Sequence, residues 1–123
     1  MNRFTHFELA TPDLEKTAAF YREVFGWDIQ KWEGPVEYWL VTTGDRSTAG
    51  INGGLMHTDG TMIGTINTIE VDDIDSAIEK VLANGGEMVL PKDAIPGVGY
   101  QAYFKDNTGI IVGLHQAYPD AQM

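Results

Sequence analysis

The chain repeats itself at an offset of about 60 residues, and a repeat of that length is one supersecondary unit written twice. The first copy runs from a strand-like stretch at Phe4 to Ala10, through Thr11-Pro12-Asp13-Leu14-Glu15, into an amphipathic helix that stops at Phe25-Gly26-Trp27. It ends in a glycine-opened strand at Gly50-Ile51-Asn52-Gly53-Gly54-Leu55. The second copy answers with a strand, Asp72-Asp73-Ile74-Asp75, a helix, Gly85-Gly86-Glu87 and Gly109-Ile110-Ile111-Val112-Gly113-Leu114. Asp13 falls on Asp73 and Gly26 on Gly86; with one residue lost on the way, Gly50 falls on Gly109 and Gly54 on Gly113. Two copies of one unit tend to enclose something, so the repeat points to a cup between them.

Local chemistry fills in the units. Thr11 offers an N-cap hydroxyl, Pro12 fits the first helical position, and Asp13 and Glu15 suit the positive end of a helix dipole. Leu14, Ala18, Tyr21 and Phe25 recur at helical spacing as one apolar stripe. Strands are expected at Trp27 to Trp32, Glu37 to Thr42 and Gly50 to His57, separated by the turn chemistry of Glu33-Gly34-Pro35 and Gly44-Asp45-Arg46-Ser47. In the second copy, Met62 to Val71 reads as strand and Asp73 to Asn84 as helix, with Ile74, Ala77, Ile78, Val81 and Leu82 inward. Gly85-Gly86 stops that helix. Strands then follow at Glu87 to Leu90, Gly99 to Lys105 and Gly109 to Gln116, with a turn at Asp106-Asn107-Thr108-Gly109. Pro91 to Gly99 reads as an irregular connector rimming a pocket, and Tyr118 to Met123 as a fraying tail. Each copy is βαβββ, and the expected organisation is one domain over 1–123, with modules at 1–58 and 62–117.

Bulk numbers exclude several function classes. At 123 residues, 43% hydrophobic and 11% aromatic, the chain can bury a core, and no apolar run approaches a membrane span. Eighteen acidic against eight basic residues give a formal charge of −10, which repels phosphate backbones and anionic lipids. No nucleic-acid or membrane partner is therefore expected. The N-terminus enters a strand pattern without a signal-like apolar region, so a cytoplasmic location is expected. Cysteine is absent, which leaves His, carboxylate, Tyr and Lys to carry any chemistry.

A strand His ahead of a Thr/Asp-capped helix, the run Ala19-Phe20-Tyr21 to Phe25-Gly26-Trp27, and Phe104-Lys105-Asp106-Asn107-Thr108-Gly109 before the last strand resemble the vicinal oxygen chelate superfamily. That superfamily includes glyoxalase I, extradiol dioxygenases and the bleomycin- and fosfomycin-resistance proteins. The resemblance covers essentially the whole chain and is nearest to small stand-alone members related to lactoylglutathione lyase. It implies an α+β fold, two βαβββ modules forming curved mixed sheets around a cup, with one helix packed outside each sheet. It also implies a homodimer and a metal site built from the first and last strands of each module. Here His6 matches the first ligand position. The other three fall on Ile66, Gly54 and Gly113, which supply no side-chain donor, so no metal is expected at the usual positions and no cofactor is expected.

Strand alternation places Glu8, Asn52, Met56, Thr68, Glu70, Ile111 and His115 on the face of His6. Gln101 and Tyr103 join them if Ala102 and Phe104 face the helix. Tyr38 and Trp39 lie on opposite faces, and the sequence leaves open which one shares the face of His6. His6 and Glu8 are the candidate proton-transfer residues. Asn52, Gly54, Met56, Thr68, Glu70, Gln101, Tyr103, Gly113 and His115 are the candidate ligand contacts, with Gly54 and Gly113 read as room for an organic ring. The leading reading is a superfamily protein that binds a small organic molecule in the cup, its reaction unassigned. Two alternatives stand beside it: a metal-dependent lyase or isomerase using a divalent ion displaced around His6, and a non-catalytic protein that sequesters a drug or metabolite.

Overall fold

The computed structural model describes residues 1–34, 36–60 and 62–118, which form eight strands and two helices. The architecture is α+β and divides into two compact units, His6–Ile66 and Met1–Thr5 with Asn67–Met123. Each unit carries one βαβββ module. The expected tail, Tyr118 to Met123, lies outside the described residues beyond Tyr118.

The first module comprises β1 (Arg3–Thr11), α1 (Leu14–Phe25), β2 (Asp28–Lys31), β3 (Tyr38–Thr42) and β4 (Gly53–His57). β1 runs parallel to β4, while β4 pairs antiparallel with β3 and β3 with β2, so the sheet is mixed, in the order β2-β3-β4-β1. Alternation along β1 sends Phe7 and Leu9 to the helix side, where Leu14 and Ala18 of α1 pack with Ile29, Trp39, Val41 and Leu55. Each large side chain buried there contributes about 1.5–3 kcal/mol of transfer free energy. Tyr21 stacks on Trp27, with centroids 4.9 Å apart and planes at 7°, and so pins the chain as it leaves the helix.

The second module comprises β5 (Gly64–Glu70), α2 (Ile74–Ala83), β6 (Glu87–Ile95), β7 (Gly99–Lys105) and β8 (Ile111–Ala117). β5 is parallel to β8, and β8, β7 and β6 follow antiparallel. Val71, Ile74, Ala102, Phe104 and Leu114 form the buried cluster under α2. Residues Met1–Thr5 belong to this unit: the Met1 ammonium lies 2.9 Å from Asp72 Oδ2, and Asn2 N donates to Glu70 O at 2.8 Å.

Several expectations change. The N-caps are Asp13 and Asp73, whose Oδ1 atoms accept from Lys16 N at 3.0 Å and Ser76 N at 3.2 Å. Thr11 instead bonds Thr17 Oγ1 and accepts from Asp13 N, because a carboxylate is the stronger acceptor for a helix-end N–H. Phe25 and Leu82, expected inward, are exposed: Phe25 lies against the rings of Tyr21 and Trp27, and Val81 holds the inward place in the last turn of α2. Pro91 to Ile95, read as irregular, continues β6 through register shifts. β6 has a neighbour on one side only, where a proline costs no ladder bond. The helix stops follow expectation: Gly26 is left-handed at φ 70° and returns its N–H to Arg22 O at 3.0 Å, and Gly85 takes φ 92° after α2.

Candidate functional site

In each module one sheet face is covered by the helix, and the sequence-predicted residues gather on the other. On the first, β1 presents His6, Glu8 and Ala10; register then adds Gly54 and Met56 of β4 and Tyr38 and Leu40 of β3. His6 Nε2 is 2.7 Å from the Tyr38 hydroxyl, and the two rings lie nearly parallel at 17°. Tyr38 is therefore the residue that shares the face of His6. Trp39 points the other way into the core, with the Arg22 guanidinium 5.8 Å from its ring centroid. Trp32 meets Tyr38 edge to face, at 6.4 Å and 84°. Glu8, directly opposite Gly54 in the register, is buried at 4% exposure.

The glycine at position 54 does not leave a vacant space. A Cβ built there would overlap the Tyr38 phenol, so the bare glycine is the seat of the tyrosine that bonds His6. Asn52 drops out of this face. It precedes β4, and its Oδ1 accepts from Thr43 N at 2.8 Å and from Thr43 Oγ1 at 3.2 Å, closing the loop between β3 and β4.

On the second module, Thr68 and Glu70 of β5, Gly113 and His115 of β8, and Gln101 and Tyr103 of β7 share a face. His115 Nδ1 lies 3.1 Å from Glu70 Oε1, and Glu70 Oε2 accepts from Ala117 N at 3.1 Å. Thr68 and Tyr103 are buried. At Gly113 a Cβ would meet Thr68 Oγ1 at 2.7 Å and Gln101 Nε2 at 3.3 Å, so this glycine too makes way for the chain's own polar groups. Below Glu70, an open groove of about 400 Å³ is lined by Met1, Thr5, Glu70, Val71, Asp72, Gln116 and Ala117. No sequence signal pointed to it, because Met1 and Asp72 stand 71 residues apart in the chain.

Two carboxyls are held below the usual aspartate range, Asp106 by hydrogen bonds from Thr108 and Ile110 and Asp45 by those from Ser47. Both sit in turns and off the two faces. Among the described residues no three His, Asp or Glu side chains gather into a metal-binding cluster. The ligand positions implied by the resemblance are His6, a buried aliphatic Ile66, Gly54 under Tyr38, and Gly113 under Thr68 and Gln101. That set does not fit a three- or four-ligand divalent metal site.

A family model described as the Glyoxalase/Bleomycin resistance protein/Dioxygenase superfamily matches residues 3–114. The chain is 32% identical over 116 residues to "Putative glyoxylase CFP32" of Mycobacterium tuberculosis, an alignment covering 89% of this chain and 44% of that protein, so it spans about half the length of that relative. It is 25% identical over 140 residues to the mitochondrial methylmalonyl-CoA epimerase of Dictyostelium discoideum, covering 94% of this chain and 79% of that one. A Streptomyces coelicolor methylmalonyl-CoA epimerase solved with 2-nitronate-propionyl-CoA superposes with a TM-score of 0.68 over 100% of this chain and 99% of its own, at 16% identity. That last likeness is one of fold.

Proposed function

The chain belongs to the Glyoxalase/Bleomycin resistance protein/Dioxygenase superfamily, and from that premise we propose that it binds a small organic molecule against the helix-free face of its first module, with His6 and Tyr38 as the polar contacts. The observation that carries this reading is the 2.7 Å bond between His6 Nε2 and the Tyr38 hydroxyl over the bare Gly54. An imidazole and a phenol so paired share one hydrogen bond, and each keeps a donor or an acceptor to present to a ligand oxygen. Glu8, buried on the same face, adds a carboxylate beside them. Because the donor set does not fit the superfamily's metal, the chemistry open to this face is proton transfer by His6 and Glu8.

A non-catalytic sequestering role is the second reading. It is favoured by the aromatic set His6, Tyr38 and Trp32, which offers ring faces to a flat or cationic compound in a protein of formal charge −10. The proposal extends to a cytoplasmic homodimer; light scattering that returned the 13.6 kDa monomer at high concentration would remove the dimer. No helix among the described residues is long and apolar enough to cross a membrane.

Trp32 beside Tyr38 supplies the readout. A panel of small carbonyl, carboxylate and aromatic compounds is titrated against intrinsic fluorescence, and hits are measured on Tyr38→Phe and His6→Ala. Each variant is expected to weaken binding about 5-fold, the effect of one lost hydrogen bond. A hit whose affinity is unchanged in both variants binds elsewhere and removes this face from the function. Turnover by the wild type that vanishes in His6→Ala while binding persists selects the enzyme over the sequestering protein.

A further inference from the structure

Three polar groups on the helix-free face of the second module converge around Gly113 without satisfying one another. Thr68 lies opposite Gly113 in the β5–β8 register; it is 1% exposed, and its Oγ1 has no hydrogen-bond partner. The Gln101 amide reaches over the same glycine: its Nε2 lies 3.3 Å, and Thr68 Oγ1 2.7 Å, from the point a Cβ on Gly113 would occupy. The Gln101 side-chain amide makes no hydrogen bond among the described residues; its backbone pairs within the sheet. His115 lies opposite Gln101 on one side and Glu70 on the other. Its Nδ1 faces Glu70 Oε1 at 3.1 Å, and the carboxylate is itself fixed by Ala117 N. A carboxylate facing Nδ1 makes that nitrogen the donor, so in the neutral form of the ring Nε2 is left as an acceptor. That Nε2 has no partner among the described residues.

A buried hydroxyl and a side-chain amide left unpaired side by side are rare in folded proteins, and each marks a place where a partner is missing. Here the missing partner is defined by what it must offer: an acceptor for Thr68 and Gln101, and a donor for His115. The Glu70 carboxylate and the formal charge of −10 disfavour an anion. Any side chain at position 113 would collide with Thr68 and close the place. We propose that Thr68, Gln101 and the Glu70-oriented His115 form a binding site for a neutral group that carries a hydrogen-bond donor beside a carbonyl. The carbonyl oxygen accepts from the Gln101 amide, the more exposed of the two donors, and from the Thr68 hydroxyl. The adjacent O–H or N–H donates to His115 Nε2. This site shares no residue with the His6 face and does not rest on that reading.

Two probes separate the sources of such a group. 2-Pyrrolidinone carries N–H and C=O on one edge, and hydroxyacetone carries a hydroxyl beside a carbonyl. Each is titrated to about 50 mM into the isotope-labelled full chain, a range suited to ligands of five or six heavy atoms. The Gln101 side-chain amide and the His115 ring signals are followed by NMR. At least one probe is expected to shift both sets saturably, and which one does so names the donor. Thr68→Val and Gln101→Leu are each expected to weaken binding about 5-fold. The comparison of a lactam with its N-methyl derivative tests the His115 contact on the unaltered protein, where about 10-fold weaker binding is expected of the methylated form. Absence of saturable shifts with both probes overturns the proposal. So does equal affinity of wild type and both variants, or of the methylated and unmethylated lactam.

Discussion

Asp106 concentrates three donors on a single oxygen: its Oδ1 accepts from Thr108 N and Thr108 Oγ1 at 2.8 Å and from Ile110 N at 3.0 Å. Those bonds favour the ionised form and hold the carboxyl below its ordinary value of 3.8. A group whose folded value is depressed stabilises the fold fully above its unfolded value, and that contribution is lost as pH falls through the folded value. The window therefore lies below about pH 3.8. Wild type is expected to exceed Asp106→Asn in urea midpoint at neutral pH, with the gap narrowing as pH drops below that value; a gap constant with pH would remove the linkage. The turn itself was legible in Asp106-Asn107-Thr108-Gly109, because an aspartate that caps its own following amides is a local event. The bond between His6 and Tyr38 was not legible. It depends on which residues of β3 and β4 stand opposite each other, and alternation alone gives two answers for Tyr38 and Trp39.

Elements that carry their own punctuation matched expectation, and those that lean on neighbours did not. Both helices were readable from the aspartates near one end and a left-handed glycine beyond the other, although the α1 cap is Asp13 and not Thr11. The continuation of β6 from Pro91 to Ile95 was not, because Pro91 is harmless only on an outer strand, and the strand order is a tertiary fact. The sequence pattern makes Gly54 and Gly113 space for a ligand, whereas each accommodates side chains of its own module. A pattern can mark a close approach without naming the approaching group. This makes Gly54 a test of the first module's sheet. Gly54→Ala is expected to destabilise by about 1–3 kcal/mol through overpacking against Tyr38. Tyr38→Ala in the same background should cost less than it does alone, because the new methyl then occupies space the ring has left. Strict additivity in a urea-denaturation double-mutant cycle would show that Tyr38 does not sit on Gly54.

At the scale of the whole molecule, the duplication governs scaffold and chemistry differently. Asp13 and Asp73 cap equivalent helices in the same way, with the same acceptor oxygen and closely similar backbone angles. Apart from Gly54 and Gly113, matched positions on the helix-free faces differ in chemistry. One module sets an imidazole against a phenol, the other an imidazole against a carboxylate with a threonine and a glutamine nearby. A duplicated fold whose four implied ligand positions are His6, Ile66, Gly54 and Gly113 holds one donor where a divalent ion needs three or four. A single imidazole, already bonded to Tyr38, competes poorly for nickel, zinc or manganese, so equilibrium dialysis of the full chain at micromolar protein and metal should recover the metal free. His6→Ala should leave the metal distribution unchanged. Stoichiometric retention that disappears in His6→Ala would restore a metal to the first module and, with it, metal-assisted chemistry at His6. Retention that persists in His6→Ala but is lost in His115→Gln would instead place an ion beside Glu70, in competition with the carbonyl group proposed for that face.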